Sequence, residues 1–522
     1  MSHTSPHAAK TVLKNTANQA HTFPAGHPHE LLSGEISHHE GKHPAGGDGG
    51  PYKESSHGGM FSPGQNVMPH KVAADDPQRF YAREKVDPLC EAFEGKITVH
   101  PGMGGIPVMP QERGALLDEL ADTPCQGRKL AYIHVPFCET HCLYCSFFQN
   151  PYGNEAGARY VDTLVQELEM WRGLPAQAEG PVHAVYLGGG TPTALQPETL
   201  GRLLKAVNAC LPLANDCEFT LEGRAANLTP ALVETALENG VNRFSLGVQS
   251  FSTDVRQAMG RTLGSEELIR NIELVQSYDQ ASVIIDLIYG LPGQSMAVWM
   301  KDLATAQSLN LDGLDCYQLG VHKGAPLARA IAHGQIDPAA GYPQMGRMFA
   351  ASVQKMESYF YRRLSVNHWS RTPRERSLYN IYTRGGASCL GFGPGAGGNL
   401  NGHMTYNPQS LKRWQGMVKS GRKPVGMLLA PTPLAELNKA LTEGLEQCRL
   451  EIPVLEAVCS QNNYKGLTQK GELRTAVTPL LEQWQRAGLL EPRGESYVLT
   501  VAGQFWYVNL TQLLIEYIDD QH

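Results

Sequence analysis

The run Lys129-Leu-Ala-Tyr-Ile-His-Val-Pro136 leads through Phe137 into Cys138-Glu-Thr-His-Cys142-Leu-Tyr-Cys145. The first stretch has the apolar, β-branched character of a buried strand. The second places three cysteines at the spacing CxxxCxxC within eight residues. Thiolates are soft ligands that suit iron–sulfur clusters, and a cubane cluster has four irons. Three local thiolates hold three of those irons and leave the fourth open to another ligand. A structural zinc site and a set of buried small hydrophobes are the plainer alternatives. Zinc sites usually close with four ligands, and no nearby cysteine or histidine pair supplies a convincing fourth. His134 lies inside the strand run and His141 lies between two of the cysteines. Isolated buried cysteines do not cluster this way, so the spacing favours an iron–sulfur cluster at Cys138, Cys142 and Cys145.

The chain has 522 residues, enough for two or three domains. Its hydrophobic content of 42% is ordinary for a soluble protein. No apolar run reaches the length of a membrane span, and Ala281-Ser-Val-Ile-Ile-Asp286 is short and carries a charge. The first residues lack the basic-then-apolar pattern of a secretory signal. Of eleven cysteines, eight (Cys90, Cys125, Cys210, Cys217, Cys316, Cys389, Cys448 and Cys459) are scattered without a disulfide framework. A reducing, cytoplasmic location is expected. A formal charge of −7 and the lack of a Lys/Arg run argue against nucleic acid or an anionic membrane as partner.

Residues 1–75 are rich in His, Gly, Pro and Ser, as in His38-His39-Glu-Gly-Lys-His43, and too poor in apolar residues to offset the entropy of ordering. A disordered tail is expected there, with weak metal binding by its histidines as the sharper alternative. Residues 76–127 form a lead-in. From 128 to 330 strand and helix patterns alternate. The strand candidates are Leu130 to Val135, Val182 to Leu187, Glu218 to Leu221, Asn242 to Val248, Val283 to Ile288 and Gly313 to Leu319. Helical patterns fall between them, one of them opening at Thr229-Pro230 and stopping at Gly240. Six such units imply parallel strands with right-handed crossovers, in an open sheet or a barrel. Residues 331–431 make an accessory region, and 432–522 a small module of helices with a hairpin over Leu490 to Leu499.

The cysteine loop, with Tyr144 before its third cysteine, resembles that of the radical S-adenosylmethionine (SAM) enzymes. In that family the open iron binds the amino and carboxylate groups of SAM, and the reduced cluster cleaves SAM to a 5′-deoxyadenosyl radical. Tyr-Ile-His-Val-Pro-Phe before Cys138 narrows the resemblance to the coproporphyrinogen-oxidase-like branch, which works on tetrapyrroles. The resemblance selects an α/β fold: a partial (β/α)6 TIM-like barrel with a small α/β accessory region and a winged-helix-like C-terminal domain. It implies SAM contacts from Tyr132, Tyr144, Gly189, Gly190, Thr191, Glu222, Gln249, Arg261 and Asp286. The chemistry of these residues agrees. Glycines let the backbone approach a ligand, and free N–H and C=O groups at Gly189 and Gly190 suit the amino-acid end of SAM. Glu222 and Asp286 are acceptors for an ammonium or a ribose hydroxyl, and Arg261 suits a carboxylate. Several of these positions fall at strand C-termini, where barrel chemistry gathers. A turn, a paired surface carboxylate or a solvated arginine is the bland alternative for each taken alone. The stretches Arg243-Phe-Ser-Leu-Gly-Val-Gln-Ser-Phe251 and Asp286-Leu-Ile-Tyr-Gly-Leu-Pro-Gly-Gln294 carry the resemblance most specifically.

Within the branch, coproporphyrinogen III oxidases place a fourth cysteine two residues after the third; Phe147 stands there in this chain. Haem chaperones of the HemW type also have Phe. The ending Phe147-Phe-Gln-Asn150, Thr220-Leu-Glu-Gly-Arg224 and the block Asn367-His-Trp-Ser-Arg371-Thr-Pro-Arg374-Glu-Arg376-Ser-Leu-Tyr-Asn380 resemble the HutW/ChuW family of anaerobic haem-degrading radical SAM methyltransferases. That resemblance implies a [4Fe-4S] cluster, two SAM per turnover, haem as substrate, a methylated linear tetrapyrrole and released iron. It implies a flavodoxin- or flavin-reductase-type electron donor and a haem-carrier protein as partners. Haem has a flat apolar body, an iron and two propionates, so His368 is expected to ligate iron or donate a proton. Arg371, Arg374 and Arg376 are expected to hold propionates. An exposed charged helix over a packed Trp369 is the alternative.

Overall fold

The computed structural model describes residues 77–98, 101–102, 104–145, 150–322, 325–467, 469 and 471–521. The 1–75 tail and Phe147-Phe-Gln at the end of the cysteine loop lie outside the described residues. Six strands run parallel in chain order: β1 (Lys129–Val135), β2 (Val182–Gly189), β3 (Leu213–Gly223), β4 (Arg243–Gln249), β5 (Ser282–Tyr289) and β6 (Gly313–Gln318). Strands covered on both faces read as continuous apolar runs, which is why all six were legible in the sequence. Helices α1 (Asn154–Trp171), α2 (Pro197–Cys210), α3 (Pro230–Glu238), α4 (Ser265–Ser277) and α5 (Met296–Ser308) lie between them. Thr229 caps α3 by accepting from the Leu232 N–H, and Gly240 takes a φ of +91° beyond its end.

The accessory region returns to the same sheet and extends both its edges. Strand β7 (His368–Ser370) adds antiparallel to β6, with His368 opposite Asp315. After helix α6 (Leu378–Arg384), strand β8 (Ser388–Phe392) adds parallel to β1, pairing Leu390 with Ala131. The parallel array therefore has seven strands, not six. Strands β9 (Gly397–Leu400), β10 (His403–Tyr406) and β11 (Met427–Ala430) continue antiparallel beyond it. Among the described residues the sheet has thirteen strands and open edges, a partial barrel rather than a closed one. Buried Glu167 of α1 fastens β8 by accepting from the Gly393 N–H (2.8 Å), Asn407 Nδ2 (2.9 Å) and Trp414 Nε1 (2.9 Å). These bonds account for part of the glycine-rich stretch 391–398, where Gly393 has a φ of +93°.

The C-terminal module has the winged-helix arrangement. Helices Ala435–Glu446, Ile452–Gln461 and Glu472–Arg486 precede the hairpin Leu490–Arg493/Ser496–Leu499, and two more helices follow. The lead-in packs on this module: Trp484 Nε1 donates to the Phe80 carbonyl and Asn509 Nδ2 to the Gly95 carbonyl. Among the described residues no helix is long and apolar enough to cross a membrane.

Candidate active site

Polar residues inside otherwise apolar strands must face a polar space or find partners. In β1 to β6 some find partners, as Lys129 Nζ does at the Gln177 and Glu179 carbonyls, while Glu222 and Asp286 neighbour each other nearer the C-terminal strand ends. The loop from Cys138 to Cys145 follows β1 and lies over this end. Cys138 and Cys142 are buried and Cys145 is partly exposed. Beside the loop, Gly188–Thr191 turns away from β2. Its backbone N–H groups are not free, contrary to the expectation from sequence. Gly189 donates to Glu222 Oε2 (3.3 Å), Gly190 to the Val135 carbonyl (2.8 Å) and Thr191 to the Phe137 carbonyl (2.7 Å). The glycines serve close packing instead: a Cβ on Gly190 would lie 2.4 Å from the Phe137 carbonyl oxygen. Gly189 has a φ of +109° and sits against the His134 ring. The Thr191 hydroxyl donates to Cys138 Sγ at 3.3 Å.

Glu222 lies against this turn, and Asp286 is its neighbouring carboxyl. They are enclosed by the barrel but not sealed from it. Burial, then the neighbouring Asp286, pushes Glu222 up to about 8. Burial, then Asp315, pushes Asp286 up to about 7. Two carboxyls poised near neutrality in a dry space form a receptor for cationic or hydroxyl groups. Gln249 follows a register shift in β4, has a φ of +73°, and keeps a buried Oε1 with no hydrogen-bond partner. A strained residue with an unsatisfied acceptor points to a ligand. Arg261 donates through Nε to the Tyr144 hydroxyl (2.8 Å) and through Nη1 to the Gly247 carbonyl (2.6 Å). The Tyr132 hydroxyl meets His134 Nδ1 at 2.9 Å, and its ring packs with those of Tyr186 and Tyr379.

The three thiols thus sit beside a glycine-built turn, two carboxyls, an amide acceptor and an arginine–tyrosine pair, within the span of one fold type. The family described as the Radical SAM superfamily matches residues 132–305. The chain is 36% identical over 430 residues to the anaerobilin synthase of Escherichia coli O157:H7, covering 82% of this chain and 93% of that protein. The chain belongs to the radical SAM enzymes, beside the anaerobilin synthases. The heme chaperone HemW of Bacillus subtilis is 28% identical over 56% of this chain and 76% of its own length. The radical SAM coproporphyrinogen III oxidase HemN of Escherichia coli shares the fold, with a TM-score of 0.65, 21% identity, and coverage of 77% of this chain and 92% of that one. The family implies a [4Fe-4S] cluster and SAM. Among the described residues no three His, Cys, Asp or Glu groups converge as ligands of a single ion would. A cubane spreads its thiolates over separate irons, so the donor set is compatible with one.

In this radical SAM enzyme the side chains of the block 367–380, expected to face haem, are largely engaged with other residues of the chain. His368 is 3% exposed; Nδ1 meets Asp315 Oδ2 at 2.8 Å and Nε2 lies 3.1 Å from Glu375 Oε1. Glu375 is fully buried and accepts from Arg243 Nε and Nη2, each at 3.0 Å. Burial opposes the imidazolium, but Asp315 and Glu375 outweigh it and raise His368 to about 9. Burial would raise Glu375, but Arg243 and His368 hold it at about 2. Arg374 pairs with Asp279 (2.6 Å) and the Ala281 carbonyl, just before β5. Arg376 donates to the Asp216 carbonyl (2.9 Å), at the start of β3. Arg371 is exposed, its backbone tied to Asp312 just before β6. These arginines therefore lie near the N-terminal ends of the strands, where Asp279 and Asp216 pair with Arg374 and Arg376. Sequence reasoning missed Asp315, Glu375 and Arg243; Asp315, a lone carboxylate in an apolar strand like Asp286, was the available signal.

Proposed function

We propose that this enzyme opens haem without oxygen, using SAM as radical source and as methyl donor, and releases iron with an anaerobilin-like, methylated linear tetrapyrrole. The similarity to an anaerobilin synthase over 93% of that protein carries the proposal, against lower identity and coverage for the heme chaperone. Phe147, where coproporphyrinogen oxidases place a cysteine, supports it further.

Cys138, Cys142 and Cys145 would hold the [4Fe-4S] cluster, which together with SAM supplies the one-electron chemistry. The chain's own residues bind and orient. Glu222 and Asp286 receive the ammonium or the ribose hydroxyls of SAM, and a cation there draws the carboxyls into their charged form. Gln249 Oε1 gains the partner it lacks. Arg261, steadied by Tyr144, meets the SAM carboxylate. Tyr132, Gly189, Gly190 and Thr191 complete the wall. The rings of Tyr132, Tyr186 and Tyr379 suit a flat apolar substrate in the lumen. His368, paired with Asp315, acts on the charge of Asp286 and not on haem directly. Turnover takes two SAM and electrons from a flavodoxin- or flavin-reductase-type donor. A haem-carrier protein delivers the substrate in the cytoplasm.

The test is anaerobic incubation of the reconstituted protein with haem, SAM and a low-potential reductant. Haem's main absorption band should decay only when both SAM and reductant are present, and methyl label from SAM should enter the product. Tight haem binding without decay would point to a chaperone, the alternative that the HemW similarity favours.

A further inference from the structure

One short segment grips the cysteine loop from the side of β3. That strand ends at Gly223, and the next residues fold over the loop. Arg224 donates through Nη1 to Thr140 Oγ1 (2.6 Å) and through Nη2 to the Thr140 carbonyl (2.9 Å). The same Nη2 lies 3.1 Å from Cys142 Sγ and donates to it. Asn227 Nδ2 donates to Glu139 Oε2 at 2.8 Å. The loop has further supports away from any sulfur: the Leu143 N–H bonds the Met259 carbonyl, and the Leu327 N–H bonds the Leu143 carbonyl.

Holding the loop does not require a guanidinium at a sulfur. What the guanidinium adds is a permanent positive charge, since arginine keeps its proton at any working pH, and an N–H aimed at one thiol. Hydrogen bonds to ligand sulfurs and nearby charge are two of the levers that set a cluster's reduction potential. Both favour the more negative, reduced state.

We infer that Arg224 is a positioning residue that tunes the cluster, making it easier to reduce through its contact with Cys142. The inference rests on the cluster assignment above. Thr191, at Cys138, offers a neutral donor and acts in the same direction more weakly. Glu222 and Arg224 thus link the SAM side and the cluster side through one strand end.

The experiment uses the full chain, reconstituted anaerobically, with iron and sulfide counted and the cluster titrated against potential by electron paramagnetic resonance, without haem. Arg224→Gln should keep the parental iron content and lower the reduced-to-oxidised ratio at a fixed poise about tenfold, or about 59 mV for one electron. Arg224→Lys, which keeps the charge, should shift in the same direction by less. Asn227→Ala, which removes a support away from the sulfur, should keep the parental potential. Parental potentials in both Arg224 variants, with clusters intact, would overturn the inference. So would an equal shift in Asn227→Ala, which would trace the effect to loop looseness. If Arg224→Gln takes up no iron, Arg224→Lys decides by the same measure: a lower potential supports the inference and an unmoved one ends it. A parent that takes up no cluster sinks the cluster assignment and this inference together; a loaded parent with unmoved variants sinks this inference alone.

Discussion

Glu375→Gln changes one atom of the charge network in the barrel interior and leaves its shape alone. In the parent, Glu375 binds Arg243 through two hydrogen bonds of 3.0 Å and faces His368 Nε2 at 3.1 Å. Arg243, His368, Glu375 and Asp315 therefore balance two positive and two negative charges where little water reaches. Glutamine removes one negative charge. Arg243 cannot respond by losing its proton. His368 can, because part of the attraction that holds it near 9 is gone. Removing one partner of a buried pair costs about 3–5 kcal/mol, and the response of His368 brings the expected loss to the lower end, about 3 kcal/mol. Denaturant unfolding followed by tryptophan fluorescence measures it, with Trp369 of β7 fully buried beside the network. Replacing Arg243 and Glu375 together by methionine should regain much of the loss, since well-packed apolar groups often replace a buried pair without cost. The pH dependence supplies a second check. His368 is raised above its ordinary 6.5, so its share of the stability is complete below about 6.5 and is lost as pH rises through about 9. Glu375 is depressed below its ordinary 4.5, so its share is complete above that value and is lost as pH falls through about 2. Parental stability should therefore decline from about pH 6.5 to 9, and the glutamine variant should be flatter there. A variant within about 1 kcal/mol of the parent, with the same slope, would refute a charged network, because ordinary surface changes already span about half that range.

Gly190→Ala should sharply lower iron uptake on reconstitution, because its Cβ meets the Phe137 carbonyl oxygen and the turn must move off the cysteine loop; parental iron content would show that the loop can yield. SAM binding, measured by calorimetry, should tighten and release protons between about pH 6 and 8, as Glu222 and Asp286 ionise. Their raised values have the opposite effect on the empty protein, whose share of stability from them is complete below the ordinary carboxyl range and lost as pH rises through about 8; Glu222→Gln should flatten both trends. Deleting residues 1–75 should leave turnover within about twofold, and a large loss of turnover at parental expression would place the tail in the chemistry.

The strands were legible because each is a long apolar run covered on both faces, and Glu222 and Asp286, polar residues at or near strand ends, stood out against those runs. Strand β8 was not legible as the seventh parallel strand. Ser388-Cys-Leu-Gly-Phe is short and lies near glycines, and its partner β1 is far away along the chain. The donors at the sulfurs were hidden for the same reason: Thr191 and Arg224 lie 53 and 82 positions from the cysteines they contact. The block 367–380 shows its cations plainly in sequence, but not the carboxylates that claim them. Asp216 lies in the first part of β3, and Asp279 and Asp312 in the loops before β5 and β6. A cation count therefore suggested an anion site where the fold has ion pairs.

The position of that block changes how it can matter to catalysis. β7 sets His368 opposite Asp315, and β6 sets Asp315 opposite Asp286. Asp315 helps push Asp286 up, and the His368 imidazolium beyond it pulls Asp286 back down. The block thus reaches Asp286 by electrostatics through two adjacent strands. Its other end reaches a different part of the molecule. Arg384, which closes α6, pairs with Glu446 of the C-terminal module at 2.5 Å. One continuous segment therefore supports the barrel floor, biases an acidic group of the lumen and fastens the C-terminal module. Substitutions along it should disturb SAM binding and module packing before any effect specific to haem, which is the reverse of what a propionate-binding patch would do.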